Sequence, residues 1–338
     1  MVPSTVKALR YTGDREPVVD HVPTPTASDG HTLIRPTSVG ICGSDIHLLS
    51  GGFGGRINPP VTLGHECAGI IVDDSHPTLE PGTPVFVNPL LPCGQCASCR
   101  RHLPNACLTL GLLGIDANGG MAELLAAPTT QLHELPADAN MTTASVIEPL
   151  AVALHMTSRI PAHPGDTIAI VGGGPIGAII AMVLSHRGHH QVTVIEAHPD
   201  RRATLETIGI ASVGLNVAPE YENTCDIVFE ATGIPAGLNT ALDIAAPAGR
   251  ILLSGFGYDN APTALSHSVK KELTLIGSRV YSDTDIRAAI ELFSDPKFPI
   301  GTIVTTVVTF DDLNHNSFTD IVSRPASLKT IMTPGGSP

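Results

Sequence analysis

Apolar and polar positions change rhythm along this chain near residue 144. Before that point, short apolar runs alternate with Pro, Gly and polar residues. Val6-Lys7-Ala8-Leu9-Arg10-Tyr11, Thr32-Leu33-Ile34-Arg35, Gly69-Ile70-Ile71-Val72 and Val85-Phe86-Val87 are examples. Runs of this length between turn formers predict strands. Helical periodicity is scarce here, so this part reads as a β-rich, barrel-like domain with long loops. Ala144 to Ser158 then carries apolar residues at helical spacing and stops before Pro161. Alternating units follow. Strands are expected at Thr167–Val171, Gln191–Glu196, Asp226–Glu230, Arg250–Ser254 and Leu273–Gly277, with helices at Ile176–Arg187, Pro199–Ile208, Pro235–Ala246 and Asp283–Ser294. Strand–helix alternation is the pattern of an α/β, doubly wound parallel sheet. Past about residue 298 the text turns β-like again, with Ile303–Phe310, a helix from Asp311 and Lys329–Met332.

The chain of 338 residues is long enough for two domains with full cores. The expected division is 1–150, 151–295 and a tail, 296–338, that returns to the first domain. Charge narrows the partners. Lys+Arg 19 against Asp+Glu 32 leaves a net −13, with no basic run to meet nucleic acid or an anionic membrane. Thr167 to Ser185 is uncharged and approaches membrane-spanning length, but Gly172-Gly173-Gly174-Pro175 inside it fits a buried strand, turn and helix better. Met1 to Tyr11 lacks the apolar core of a signal peptide, so a cytoplasmic protein is expected.

Cysteine spacing supplies the sharpest chemistry. Cys93, Cys96, Cys99 and Cys107 crowd one short loop. Four thiolates so spaced suit a tetrahedral Zn²⁺ with no open position, hence a structural site; four free thiols or an iron–sulfur cluster are the alternatives. Gly172-x-Gly174-x-x-Gly177 follows an expected strand and, with Pro175 and Ile176, opens an expected helix. In that setting the glycines permit the tight turn, the approach of a pyrophosphate and close helix packing, with the phosphate on the helix N-terminus. Glu196 ends the next strand, where a carboxylate would accept from an adenosine ribose and repel a 2′-phosphate. NAD is therefore expected over NADP, although Arg201 and Arg202 weaken the preference. Cys42 and His65, with Glu66 or Glu148, could form an open metal site. Singly, such residues are more often a core thiol, a hydrogen-bonded imidazole or a solvated carboxylate. Cys67 and Cys225 read as core thiols, His155 as helix packing, and His189-His190 as a solvated turn.

Taken together, Lys7-Ala8-Leu9, Gly40 to His47, Gly64 to Gly69, the four-Cys loop, Gly119 to Glu123 and Gly172 to Gly177 occur in the order seen in zinc-dependent medium-chain dehydrogenases/reductases. The chain resembles that family along essentially its whole length, and Glu148-Pro149-Leu150-Ala151 resembles its polyol (sorbitol) and threonine dehydrogenase branch. The resemblance implies a GroES-like catalytic domain, a Rossmann domain, one catalytic and one structural zinc per chain, and a homotetramer or dimer. It implies Cys42 and His65 as catalytic zinc ligands, with Glu66 or Glu148 completing the set; which glutamate holds the metal at rest stays open. It implies Ser44 as the hydroxyl that bonds the substrate oxygen, His47 as a relay to solvent through the cofactor ribose, and Asp45 as the orienter of His65. The expected reaction is reversible hydride transfer from a secondary alcohol to NAD. A small polyol, sugar or amino alcohol is favoured, since the chain has no Trp and only 4% aromatic residues. Phe53, Gly54, Arg56, Arg279 and Tyr281 are the candidate substrate contacts. Threonine dehydrogenase and simple alcohol dehydrogenase are the rival enzymes; a non-catalytic dinucleotide-binding protein, or a zinc-free quinone-reductase-like relative, would need the Cys42, Ser44, His65, Glu148 set to be idle.

Overall fold

The computed structural model describes residues 3–335 apart from 28–29, 54–55, 74–75, 256 and 258–264. The chain divides into two compact units. The first holds Met1–Glu148, Val304–Arg324 and Lys329–Pro338; the second holds Pro149–Ile303 and Pro325–Leu328.

The first unit holds three sheets among the described residues, one of them the two-stranded pair Leu90–Leu91 and Gly111–Leu112. A second small one orders Val18–Pro23, Thr5–Tyr11 and Val61–Thr62. The larger one runs Leu132–Glu134, Pro84–Val87, Glu66–Ile71, His31–Ile41, Lys329–Met332 and Val304–Val308, with Leu125–Pro128 on the other half of His31–Ile41. Leu9, Ile34, Val39, Leu48, Leu63, Val85 and Met121 form its buried core. The strand His31–Ile41 is longer than the expected Thr32–Arg35. It includes Pro36, which cannot donate to a ladder. The chain carries it through at an irregularity in the register between Pro36 and Ser38. That continuation matters, because it delivers Gly40 opposite Glu66 and Ile41 opposite Thr330.

The second unit is a parallel sheet in the order Ser212–Val213, Val192–Ile195, Ile168–Val171, Cys225–Glu230, Ala245–Leu253 and Thr274–Gly277. The order reverses at Ile168–Val171, the switch point at which doubly wound sheets take dinucleotides. All four residues of Ile168–Val171 are buried, as a strand covered on both faces requires. Pro175, Pro199 and Pro235 each occupy the first helical position, where a missing N–H costs nothing. Helix Pro235–Ile244 ends two residues before the expected Ala246. Pro247 disfavours helical geometry in the residue ahead of it, and strand Ala245–Leu253 begins at once. The edge strand Ser212–Val213 was not foreseen; two residues leave too little periodicity to read. His155 bonds Asp285 at 2.9 Å between helices Ile147–Arg159 and Asp283–Phe293, a packing role as expected.

Helix Pro175–His186 lies against its preceding strand with almost no clearance. A Cβ at Gly177 would stand 1.9 Å from the carbonyl oxygen of Gly172, and Gly172 itself has φ +102°, which L side chains rarely adopt. Gly177→Ala should therefore push the helix off the strand and cost about 1–3 kcal/mol. Chemical denaturation of the variant checks this; unchanged stability would show that the turn yields freely.

Candidate functional site

The sheet register gathers one group of side chains in the first unit. Gly40 pairs with Glu66, so His65 and Glu66 arrive beside the end of His31–Ile41, where Cys42 leads into helix Gly43–Leu49. Ligand atoms of Cys42, His65 and Glu66 all lie within 4.8 Å of one another. Ser44 Oγ lies 3.1 Å from His65 Nε2, and Asp45, fully buried, stands 3.7 Å from the other ring nitrogen while accepting from the Cys42 N–H at 2.9 Å. Burial alone would disfavour a charged imidazole, but Asp45 and Cys42 outweigh it and push the His65 pKa up to about 10. The same negative surroundings favour any cation. Soft sulfur, imidazole nitrogen and carboxylate oxygen together form a donor set that fits a divalent metal with a position left open.

Glu148 is buried but falls outside that three-residue group. Its charge acts instead on Lys329, which sequence reasoning missed. Lys329 is 2% exposed and Glu66 1% exposed; the ammonium donates to Glu66 Oε1 at 2.6 Å and to the Ile41 carbonyl at 2.9 Å, and forms an ion pair with Glu66 Oε2. Burial would lower the lysine pKa; Glu66, Cys42 and Glu148 more than offset this and hold it above its ordinary value. Room for the pair comes from Gly40, where a Cβ would meet Glu66 Oε2 at 1.9 Å and Lys329 Cε at 2.9 Å. The available signal was one lysine in the otherwise uncharged run Leu328 to Met332.

The four-Cys loop closes on itself. Strands Leu90–Leu91 and Gly111–Leu112 pair at its base, and the sulfurs of Cys93, Cys96, Cys99 and Cys107 lie within 4.8 Å of one another. Backbone donation from Gln95 and Cys96 lowers the Cys93 pKa to about 6, while Cys99 is raised to about 12 by desolvation and by the Cys96 thiol. One thiolate suppresses the next, and a cation among them would relieve that repulsion. Burial raises Cys67 to about 12, the behaviour of an inert core thiol.

At the glycine-rich turn, Gly174 caps helix Pro175–His186 and a Cβ there would meet nothing within 4 Å. Pro175 and Ile176 are half-buried at the helix start. Glu196 is 5% exposed; its carboxylate accepts from the Gly173 N–H at 2.8 Å and the His198 N–H at 2.7 Å, with Arg201 at 3.5 Å. Arg202 donates to the carbonyls of Glu196 and Ala197 at 2.8 and 3.0 Å. Both arginines are thus engaged at the strand end.

The expected substrate contacts scatter. Gly54 lies outside the described residues. Arg56 grips Asp116 with two bonds, at 2.8 and 2.5 Å. Phe53 packs between His47 and Arg56. Arg279 is half-buried, and Tyr281 at 1% exposure meets protein rather than solvent as placed.

Comparison with known proteins fits this geometry. The family profile described as alcohol dehydrogenase GroES-like domain matches residues 28–137, and that described as zinc-binding dehydrogenase matches 175–295. The 2-dehydro-3-deoxy-L-galactonate 5-dehydrogenase of Pseudoalteromonas atlantica is 30% identical over 337 residues, covering 96% of this chain and 98% of that protein. The chain belongs to the zinc-dependent medium-chain dehydrogenases. Like them it is an oxidoreductase of CH–OH groups that uses a nicotinamide dinucleotide. An alcohol dehydrogenase structure from E. coli CFT073 complexed with NADH has TM-score 0.87 and 25% identity, over 98% of this chain and 100% of that one. A protein of Sinorhizobium meliloti 1021 bound to NADP has TM-score 0.88 and 26% identity, again over 98% and 100%.

Removing one member of a buried ion pair strands the other charge. Lys329→Met should therefore cost this dehydrogenase about 3–5 kcal/mol, and Lys329→Arg should recover part of it. Denaturant unfolding decides; a Met variant as stable as the parent would show that Glu66 needs no partner.

Proposed function

We propose that this dehydrogenase is NAD-dependent and oxidises a secondary alcohol of a small polyhydroxylated compound, a polyol or sugar acid, reversibly. The convergence of Cys42, His65 and Glu66 around an otherwise unexplained donor set carries this reading. Those three residues would hold a catalytic Zn²⁺, with Glu148 the reserve carboxylate, and Cys93, Cys96, Cys99 and Cys107 would hold a structural one. Bound there, zinc supplies Lewis acidity that lowers an alcohol's pKa, and NAD supplies the hydride acceptor.

The chain's own residues do the rest. Ser44 Oγ, beside His65, is placed to take the substrate hydroxyl proton. His47 is three residues further along helix Gly43–Leu49, hence on the same face, and is exposed. It suits the outward end of a proton path. Asp45 holds the His65 ring by its far nitrogen. In the second unit, Gly172, Gly174 and Gly177 clear the approach of a pyrophosphate to the N-terminus of Pro175–His186. Glu196 would accept from a ribose hydroxyl, and with Arg201 and Arg202 engaged a 2′-phosphate would face a carboxylate. The substrate class is supported by the name of the Pseudoalteromonas relative. A homo-oligomer is also proposed: Thr274–Gly277 ends the sheet order with an unpaired edge among the described strands, a liability in a monomer. No helix among the described residues is long and apolar enough to cross a membrane.

Two outcomes are expected. In an NAD reduction screen over polyols and sugar acids, kcat/KM should favour NAD over NADP; equal efficiency with NADP would overturn the role given to Glu196. The two metal groups should also fail differently. Cys42→Ser should lose one zinc and turnover while keeping melting temperature and NAD affinity. Cys96→Ser should lose the other zinc and melt lower, because structural zinc contributes directly to folding. Zinc per chain, melting temperature and NAD affinity, measured on both, separate them; loss of both zincs in Cys42→Ser would refute the division.

A further inference from the structure

An exposed histidine on the last turn of a short helix ordinarily samples several rotamers. His47 does not have that freedom. The Phe53 ring meets it at 5.2 Å between centroids, tilted by 72°. On another side, Gly52 sits so close that a Cβ there would fall 2.1–2.3 Å from three atoms of the imidazole. The Gly52 N–H donates to the His47 carbonyl at 2.8 Å, which fixes that approach. Phe53 is anchored in turn: it packs on the core of the first unit and carries the Arg56 guanidinium 5.8 Å from its centroid. Arg56 donates from Nε to Asp116 Oδ1 at 2.8 Å, and from Nη2 to Asp116 Oδ2 at 2.5 Å and the Leu110 carbonyl at 2.8 Å. Asp116 Oδ2 also accepts from the Leu112 N–H at 2.7 Å, tying the column to the strand Gly111–Leu112.

A partly exposed ion pair of this kind contributes little stability, about 0–1 kcal/mol. What a two-bond arginine fork does supply is direction. We propose that Phe53, Arg56 and Asp116 are positioning residues that hold the His47 imidazole in one orientation for proton release. This rests on the reading of His47 as the outward end of the proton path. It gives Phe53 a task other than substrate contact.

Phe53→Leu and Arg56→Met test it in the zinc-loaded enzyme. Each should lower kcat by on the order of tenfold, a part of the roughly 10²–10⁴-fold that acid–base assistance is worth. KM, zinc content and melting temperature should hold, the solvent deuterium isotope effect on kcat should rise, and Phe53→Tyr should keep the parent's behaviour. In a His47→Ala background the same substitutions should cost nothing further. An equal loss in that background, or a rise in KM alone, overturns the proposal. A separate readout needs no turnover: the rate at which diethyl pyrocarbonate modifies His47, followed on its peptide by mass, should rise severalfold in Phe53→Leu and Arg56→Met. An unchanged rate refutes the column itself. Normal kcat in His47→Ala refutes the proton-path reading instead.

Discussion

The first unit is organised around a buried ammonium beside a buried carboxylate. Glu66 and Lys329 are 1% and 2% exposed, and neither charge is tolerable there without the other. Satisfying that pair sets several other features. Gly40 must lack a side chain, and Lys329–Met332 must lie against the end of His31–Ile41 so that the ammonium also reaches the Ile41 carbonyl. The carboxylate is then fixed next to His65 and Cys42. A donor atom that would otherwise wander is held at the candidate metal site by a strand from the far end of the chain. The ammonium also offsets part of the negative charge of Cys42, Glu66 and Glu148 around it.

The second unit solves a different problem, the approach of backbone to backbone. Gly177 against Gly172 brings the helix onto the strand, and the open face at Gly174 leaves the helix N-terminus accessible. Glu196 is then drawn in by the Gly173 N–H, which makes the acidic residue at the second strand end part of the turn rather than a free side chain.

What was legible in the sequence follows from how local each feature is. The four-Cys loop and the Gly172–Gly177 turn are closed by neighbours a few residues apart, so spacing alone places their atoms. The parallel sheet was legible because strand and helix patterns alternate along the chain, with the central strand Ile168–Val171 an apolar run buried throughout. Cys42, His65 and Glu66 needed a sheet register to meet, and only the resemblance supplied it. Lys329 was beyond reach, since its partner is 263 positions away and nothing near Leu328 signals a charge that must be matched. Arg56 is a related case: sequence shows a cation in a loop beside a candidate site, but not its ion pair with Asp116, 60 positions on.

The two candidate metal groups therefore differ in what holds them. The four sulfurs belong to one short loop, and a metal bound among them would organise that loop. The group at Cys42 depends on three strands in register, and its geometry is imposed by the fold whatever occupies it. That asymmetry suits their proposed tasks. A site that must exchange substrate at an open position has to keep its shape when a ligand leaves, which demands support from the sheet and from Lys329. A site that only closes a loop can rely on the metal itself. The group proposed to react is accordingly the one assembled from distant residues, and the one whose sequence signal is weakest.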